Sequence, residues 1–130
     1  MTNQELKDFG NSLIPYDGLK GFLDDLREIA SKAWCEVEFY IISGGIQDIV
    51  EGFPLYSEFK AVWGSRLAPD ANGRVKYIKR AITFTEKTRY LFIINKCADP
   101  QEADRDPRLV NKFVSKRNRP IPFELSLIHI

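Results

Sequence analysis

The run Val37-Glu38-Phe39-Tyr40-Ile41-Ile42 restricts the fold more than any other part of the chain. After Glu38 every position is β-branched or aromatic, so neither face of a strand made from it suits water. Strands of this kind are buried on both sides and belong to parallel sheets covered by helices. Ser43-Gly44-Gly45 ends the run, and Ile46, Ile49, Val50 and Phe53 then recur at helical spacing up to Gly52-Phe53-Pro54. Ahead of the strand, Pro15 and Asp17 mark a helix start. Leu19, Phe22, Leu23, Leu26, Ile29 and Ala30 line one side of a helix over 17–33, with Asp24, Asp25, Arg27 and Glu28 on the other. That apolar stripe is expected to be core. Helix, buried strand, glycine-rich turn and helix in this order predict an α/β fold.

The rest of the chain is read the same way. Residues 3–9 form the end of a helix closed by Gly10. Phe59, Ala61 and Trp63 alternate, Asp70-Ala71-Asn72-Gly73 is a turn, and Val75 and Tyr77 alternate after it, which predicts a small β excursion over 59–84. Thr85 then caps a helix to about Lys96, with Tyr90, Leu91 and Ile94 facing inward. From Ala98 to Pro107 the composition predicts a surface loop or a partly disordered stretch. Leu109, Val110, Phe113 and Val114 predict a short helix, broken by Arg117-Asn118-Arg119-Pro120-Ile121-Pro122. Trp34 and Trp63 are read as packing residues.

Composition excludes several function classes. The 130 residues carry a formal charge of +1, which signals neither nucleic acid nor an anionic membrane as a partner. Arg108, Lys112, Lys116, Arg117 and Arg119 are read as a solvated face, because no aromatic residues interleave them. No apolar run approaches the roughly 20 residues of a membrane span. The start Met1-Thr2-Asn3-Gln4-Glu5 lacks a signal-peptide core, so a cytoplasmic location is expected. Cys35 and Cys97 are far apart, and Cys35 is expected to be a small, reduced core residue. His129 is the single histidine, which leaves no histidine zinc site and no Ser-His-Asp or Cys-His arrangement.

Two places carry chemistry. Ser43 lies at the carboxyl end of the buried strand, where ligands of parallel α/β sheets bind. Gly44 and Gly45 let backbone approach a ligand closely, and the helix after them offers free N–H groups to an anion. These three residues are the candidate phosphate-binding set. Lys87, in the first turn of the helix after Thr85, opposes the helix dipole unless an anion is held nearby. Each also has an ordinary reading, as a capping serine with turn glycines and as an exposed lysine.

Val37 to Gly45 resembles the second motif of the haloacid dehalogenase (HAD) phosphohydrolases, a hydrophobic strand ending in Ser or Thr. The stretch Ile82-Thr83-Phe84-Thr85-Glu86-Lys87-Thr88-Arg89-Tyr90-Leu91-Phe92-Ile93-Ile94-Asn95-Lys96 resembles the third-motif region of bacterial members, with Lys87 as the matching lysine. Phe9-Gly10 to Gly18-Leu19-Lys20-Gly21-Phe22 is similar to what precedes the second motif there. The resemblance covers roughly residues 5–124, and the ordered run of matches is more specific than any one of them. It implies a partial, Rossmannoid three-layer α/β core with a parallel sheet, preceded by the end of a cap segment. It further implies phosphoryl transfer through an aspartyl-phosphate on a phosphorylated small-molecule substrate, with Mg²⁺. Ser43 would hydrogen-bond a phosphoryl oxygen and Lys87 would screen charge, as a reaction dominated by positioning and charge neutralisation requires.

The chain departs from that family's pattern at both ends. No Asp-x-Asp follows a hydrophobic strand upstream of Ser43, and Asp24-Asp25 lies within a helix. After Glu124 the expected Gly-Asp motif is replaced by Leu125-Ser126-Leu127-Ile128-His129-Ile130, which is read as a non-native tail. The expectation is a central fragment, residues 1–124, lacking the nucleophile, the acid/base and most magnesium ligands and inactive alone. Missing strands would also favour self-association. The alternative is a non-catalytic α/β module that binds a phosphorylated ligand or a protein partner. A dinucleotide-binding domain is weaker, since Ser43-Gly44-Gly45-Ile46-Gln47-Asp48 lacks the Gly-x-Gly-x-x-Gly turn.

Overall fold

The strand expected at Val37–Ile42 starts later and runs further: β1 spans Tyr40–Ile46. It lies beside β2, Ala61–Pro69, in parallel, and β2 pairs antiparallel with β3, Val75–Arg80. The sheet order is β1-β2-β3, so the architecture is mixed α/β with a partly parallel sheet. Residues 1–96, 98–106 and 108 of this computed structural model are described. The chain divides into two units, Met1–Thr83 and Phe84–Ile130.

One boundary of the sequence reading is corrected by this topology. The β2–β3 hairpin is present, but β2 is the middle strand of the sheet and no excursion. Val62, Trp63 and Gly64 on β2 are all buried, which period-two alternation through Ala61 and Trp63 did not convey. The turn works as read. Asp70 Oδ1 accepts from the N–H of Asn72 (2.8 Å) and of Arg74 (3.1 Å), and Gly73 takes φ 76°.

Helix α1, Asn3–Asn11, begins with a capping box in which Thr2 Oγ1 accepts from Glu5 N–H and Glu5 accepts from Thr2 N–H. Helix α3, Gln47–Gly52, packs against α1 on one side and β2 on the other. Lys7 Nζ lies 2.8 Å from Glu51 Oε2, and Asn3 Nδ2 donates to Asp48 Oδ2 at 2.9 Å. Gly10 does not end its helix as expected. It lies inside α1 at the crossing with α3, where a methyl group would meet Ile49 O.

Helix α2, Leu19–Lys32, matches the expected 17–33. Its stripe is not plain core. Leu23 is fully buried, but Phe22 is 41% and Ile29 63% exposed. Its charged side is tied to the 3₁₀ turn Tyr56–Glu58, with Lys20 3.0 Å and Arg27 2.6 Å from the Glu58 carboxylate. The Lys20 hydrogen bond leads the causes that hold Glu58 below the usual carboxylate range. Asp24 bonds Lys20 and Arg27, so this carboxylate serves helix surface pairing.

The end of α2 overturns two expectations. Cys35 is exposed, and Trp34 is 98% exposed. Cys35 N–H donates to Ala30 O and Trp34 N–H to Ser31 O, the two bonds of a Schellman cap. Trp34 fills the left-handed position of that cap at φ 57°, where glycine is favoured and a β-carbon costs about 1–2 kcal/mol. Trp34→Gly is therefore expected to raise the unfolding free energy by about 1 kcal/mol, measured by urea denaturation. A loss of stability would show that the indole is packed.

The second unit contains α4, Phe84–Asn95, and α5, Pro100–Arg105. Helix α4 starts at Phe84, so Thr85 is inside the helix and does not cap it. Tyr90 is fully buried as expected, but Ile93 rather than Ile94 is its fully buried partner. Tyr90 Oη donates to Asp104 Oδ1 at 3.2 Å, joining the two helices. The stretch expected as a loop holds α5 because Asp99 caps it, accepting from Gln101 N–H and Glu102 N–H at 2.9 Å, with Pro100 in the first turn. Cys97, the helix over 109–114, the break at 117–122 and the tail 125–130 lie outside the described residues, as do all the basic residues of 108–119 except Arg108. No helix among the described residues is long and apolar enough to cross a membrane.

Candidate functional site

Ser43, Gly44 and Gly45 do not follow the strand as a turn. They are a bulge inside it. Ile42 is registered with Trp63 and Ile46 with Ser65, so these three residues of β1 stand against Gly64 alone. Such an insertion disrupts the ladder and bends the strand. It is stabilised locally by Gly45 N–H, which donates to Ser43 Oγ at 3.0 Å. Ser43 is half-buried and both glycines are exposed. A β-carbon at Gly45 would stand 3.2 Å from Ser43 Oγ, tighter than ordinary contact, so glycine suits that position.

The helix behind the bulge differs from the expected anion cradle. It starts at Gln47 rather than Ile46 and spans six residues. Gln47 is buried at 5% exposure, and its side chain ties three elements together. Its Oε1 accepts from Gly64 N–H (3.3 Å), Arg66 Nε (3.1 Å) and Arg80 (2.8 Å), while its Nε2 donates to Glu51 Oε1 (2.8 Å). Burial pushes the Glu51 carboxyl up, but the hydrogen bonds from Lys7 and Gln47 outweigh it and leave the group below its ordinary range. A β-carbon on Gly64 would come within 2.8 Å of Gln47 Cα, so a glycine in β2 lets α3 sit directly on the sheet. The bulge is thus held from behind by a buried amide.

A second polar bridge lies on the other side of it. Ser65 Oγ donates to Gly44 O at 2.9 Å and accepts from Ile82 N–H at 3.1 Å. The connector after β3 thereby reaches the bulge, and the place for a β-carbon on Gly44 is 3.5 Å from Ile82 O. Sequence reasoning found Ser43, Gly44 and Gly45 but missed Gln47 and Ser65. The only trace of Ser65 was a hydroxyl in an otherwise apolar part of a strand, and Gln47 left none.

Lys87 is the fourth residue of α4, half-buried, with Nζ 5.7 Å from the centre of the Phe84 ring. It belongs to the second unit, whereas Ser43, Gly44 and Gly45 belong to the first. Magnesium needs a near-octahedral set of carboxylate and water oxygens. No group of three or more His, Cys, Asp or Glu that could hold a metal ion occurs among the described residues, so no step is assigned to a metal held by them.

Comparison with protein-family models, with curated proteins and with solved structures gives no match for the chain.

Proposed function

We propose that the chain supplies the phosphate-binding part of a magnesium-dependent phosphohydrolase of the HAD type. Ser43 binds a phosphoryl oxygen and Gly44 and Gly45 admit it, while the resemblance gives Lys87 the charge-neutralising role in an enzyme of this type. The observation that carries this reading is the ordered resemblance of Val37–Gly45 and Ile82–Lys96 to two successive motifs of that family. The local chemistry supports it. A hydroxyl has one donor hydrogen and two acceptor lone pairs. Gly45 N–H takes an acceptor of Ser43, and the O–H donor is what a phosphoryl oxygen requires. The glycines beside it are exposed, so an anion can approach the backbone. No described carboxylate is assigned as nucleophile, and the chain alone is expected to bind phosphate without turning over a phosphoester.

The test is a titration with orthophosphate followed by ³¹P line width. The chain is expected to bind, and Ser43→Ala and Lys87→Ala each to weaken binding by about tenfold or more, the value of a hydrogen bond to a charged group. Absence of binding, or affinity unchanged in Ser43→Ala, would sink the reading. Magnesium-dependent turnover of p-nitrophenyl phosphate that vanishes in Ser43→Ala would refute the claim of inactivity. The uninterrupted coding sequence separates this reading from a non-catalytic module, since only an enzyme of this type needs Asp-x-Asp ahead of Ser43 and an acidic Gly-Asp motif beyond Glu124.

A further inference from the structure

We infer that Ser65 is a positioning residue for the phosphate-binding bulge, coupling it to the connector that leads into α4. The inference rests on the reading of Ser43 given above and adds a residue to which that reading assigns nothing. Ser65 stands opposite Ile46, where the register resumes after the bulge. Its single hydroxyl has two partners from segments far apart in sequence. It donates to Gly44 O (2.9 Å) and accepts from Ile82 N–H (3.1 Å). Ile82 is buried at 6% exposure, so its N–H lies where a lost partner is not easily replaced by water.

The consequence for binding is geometric. Three residues facing one have more conformational freedom than a regular ladder, and two side-chain hydrogen bonds tie this bulge to itself and to the sheet. Gly45 N–H to Ser43 Oγ fixes its internal curl. Ser65 to Gly44 O fixes the curl to the sheet. With the second bond gone, Gly44 can rotate its peptide, and the Ser43 hydroxyl and the glycine N–H groups no longer present one arrangement to an anion. Binding then carries the added cost of ordering the bulge. The same hydroxyl holds Ile82 N–H, so the bulge is tied to the connector after β3 as well. Ser65 makes no hydrogen bond to Ser43 itself and acts through Gly44 O and Ile82 N–H.

The experiment compares Ser65→Ala, Ser65→Thr, Ser43→Ala and Asn3→Ala in the full chain, with orthophosphate as the probe. Asn3→Ala breaks the Asn3–Asp48 hydrogen bond and so reports what a structural loss outside the bulge does to phosphate affinity. Each variant is read by ³¹P titration, by urea unfolding and by amide hydrogen exchange at Gly45 and Ile82. Ser65→Ala is expected to weaken phosphate binding roughly three- to tenfold, the value of one neutral hydrogen bond, and to speed exchange at both amides. Ser65→Thr, which keeps the hydroxyl, should restore both readouts, and Asn3→Ala should lower stability without moving the phosphate affinity. If Ser65→Ala binds phosphate like the parent while Ser43→Ala does not, the positioning role is wrong and the reading of Ser43 stands. If Asn3→Ala weakens binding as much as Ser65→Ala, the effect is general loosening and the role is again wrong. If the parent binds no phosphate, or Ser43→Ala binds as well as the parent, the functional reading fails and this inference with it.

Discussion

Trp63→Ala is expected to lower the unfolding free energy by about 3–5 kcal/mol, a large part of the roughly 5–15 kcal/mol of a typical domain. Trp63 is 2% exposed on the middle strand, registered with Ile42, and its ring stacks on Tyr40 at 5.9 Å between centroids with planes 10° apart. Removing the indole leaves a cavity on the face of the sheet, beside the Tyr40 ring on which it stacks. Backbone in a hydrogen-bonded ladder cannot collapse to fill it, so lost transfer energy and lost packing add. Trp63→Phe keeps an aromatic face for Tyr40 and should lose less than Trp63→Ala. Urea denaturation followed by far-ultraviolet circular dichroism measures both. A loss below about 1 kcal/mol in Trp63→Ala would show that the β1–β2 pair is not the core of the first unit.

The second large effect reverses a familiar rule. Alanine in place of glycine within a helix usually stabilises by about 0.5–1 kcal/mol. At Gly52 the new β-carbon would stand 2.0 Å from Lys7 O and 2.8 Å from Lys7 C, and at Gly10 it would stand 2.0 Å from Ile49 O. Those neighbours are backbone of the opposite helix and cannot swing aside. Helices α1 and α3 must separate, which opens the contact and strains the Lys7–Glu51 and Asn3–Asp48 pairs. Overpacking of this kind costs about 1–3 kcal/mol or more and outweighs the propensity gain. Gly52→Ala and Gly10→Ala are therefore each expected to destabilise. Their double variant should cost less than the sum, because one separation relieves both clashes. Gly21→Ala is the control, since a β-carbon there meets nothing within 4 Å, and it should stabilise by about 0.5–1 kcal/mol. A stabilised Gly52→Ala would mean that the helices do not cross where the structure puts them.

Much of the fold was legible because its signals are local. The stripe over α2, the capped turn at Asp70–Gly73 and the apolar run feeding β1 each express a preference that neighbouring residues decide among themselves. The errors share one cause. Gly10 and Gly52 carry the same symbol whether they end a helix or let two helices touch. Trp34 and Trp63 look alike in sequence, yet one is 98% exposed and the other 2%. Asp99-Pro100 was a capping signal that the charged composition around it hid. The candidate site divides in the same way. Ser43, Gly44 and Gly45 were visible as a hydroxyl and two glycines after an apolar strand, whereas the bulge they form was not. Its existence depends on which residues of β2 lie opposite.

By itself the sequence determined the α/β class, the places where most helices and turns form, and which hydroxyl and glycines are chemically eligible to meet an anion, because periodicity, capping and side-chain chemistry act over a few residues. Only the tertiary structure decided that β2 occupies the middle of the sheet, that three residues of β1 face one of β2, and that Gln47 and Ser65 brace that irregularity from two sides. The reason is that register and close approach are relations between segments distant along the chain. Their energies arise from packing and buried hydrogen bonds that exist only once those segments have met.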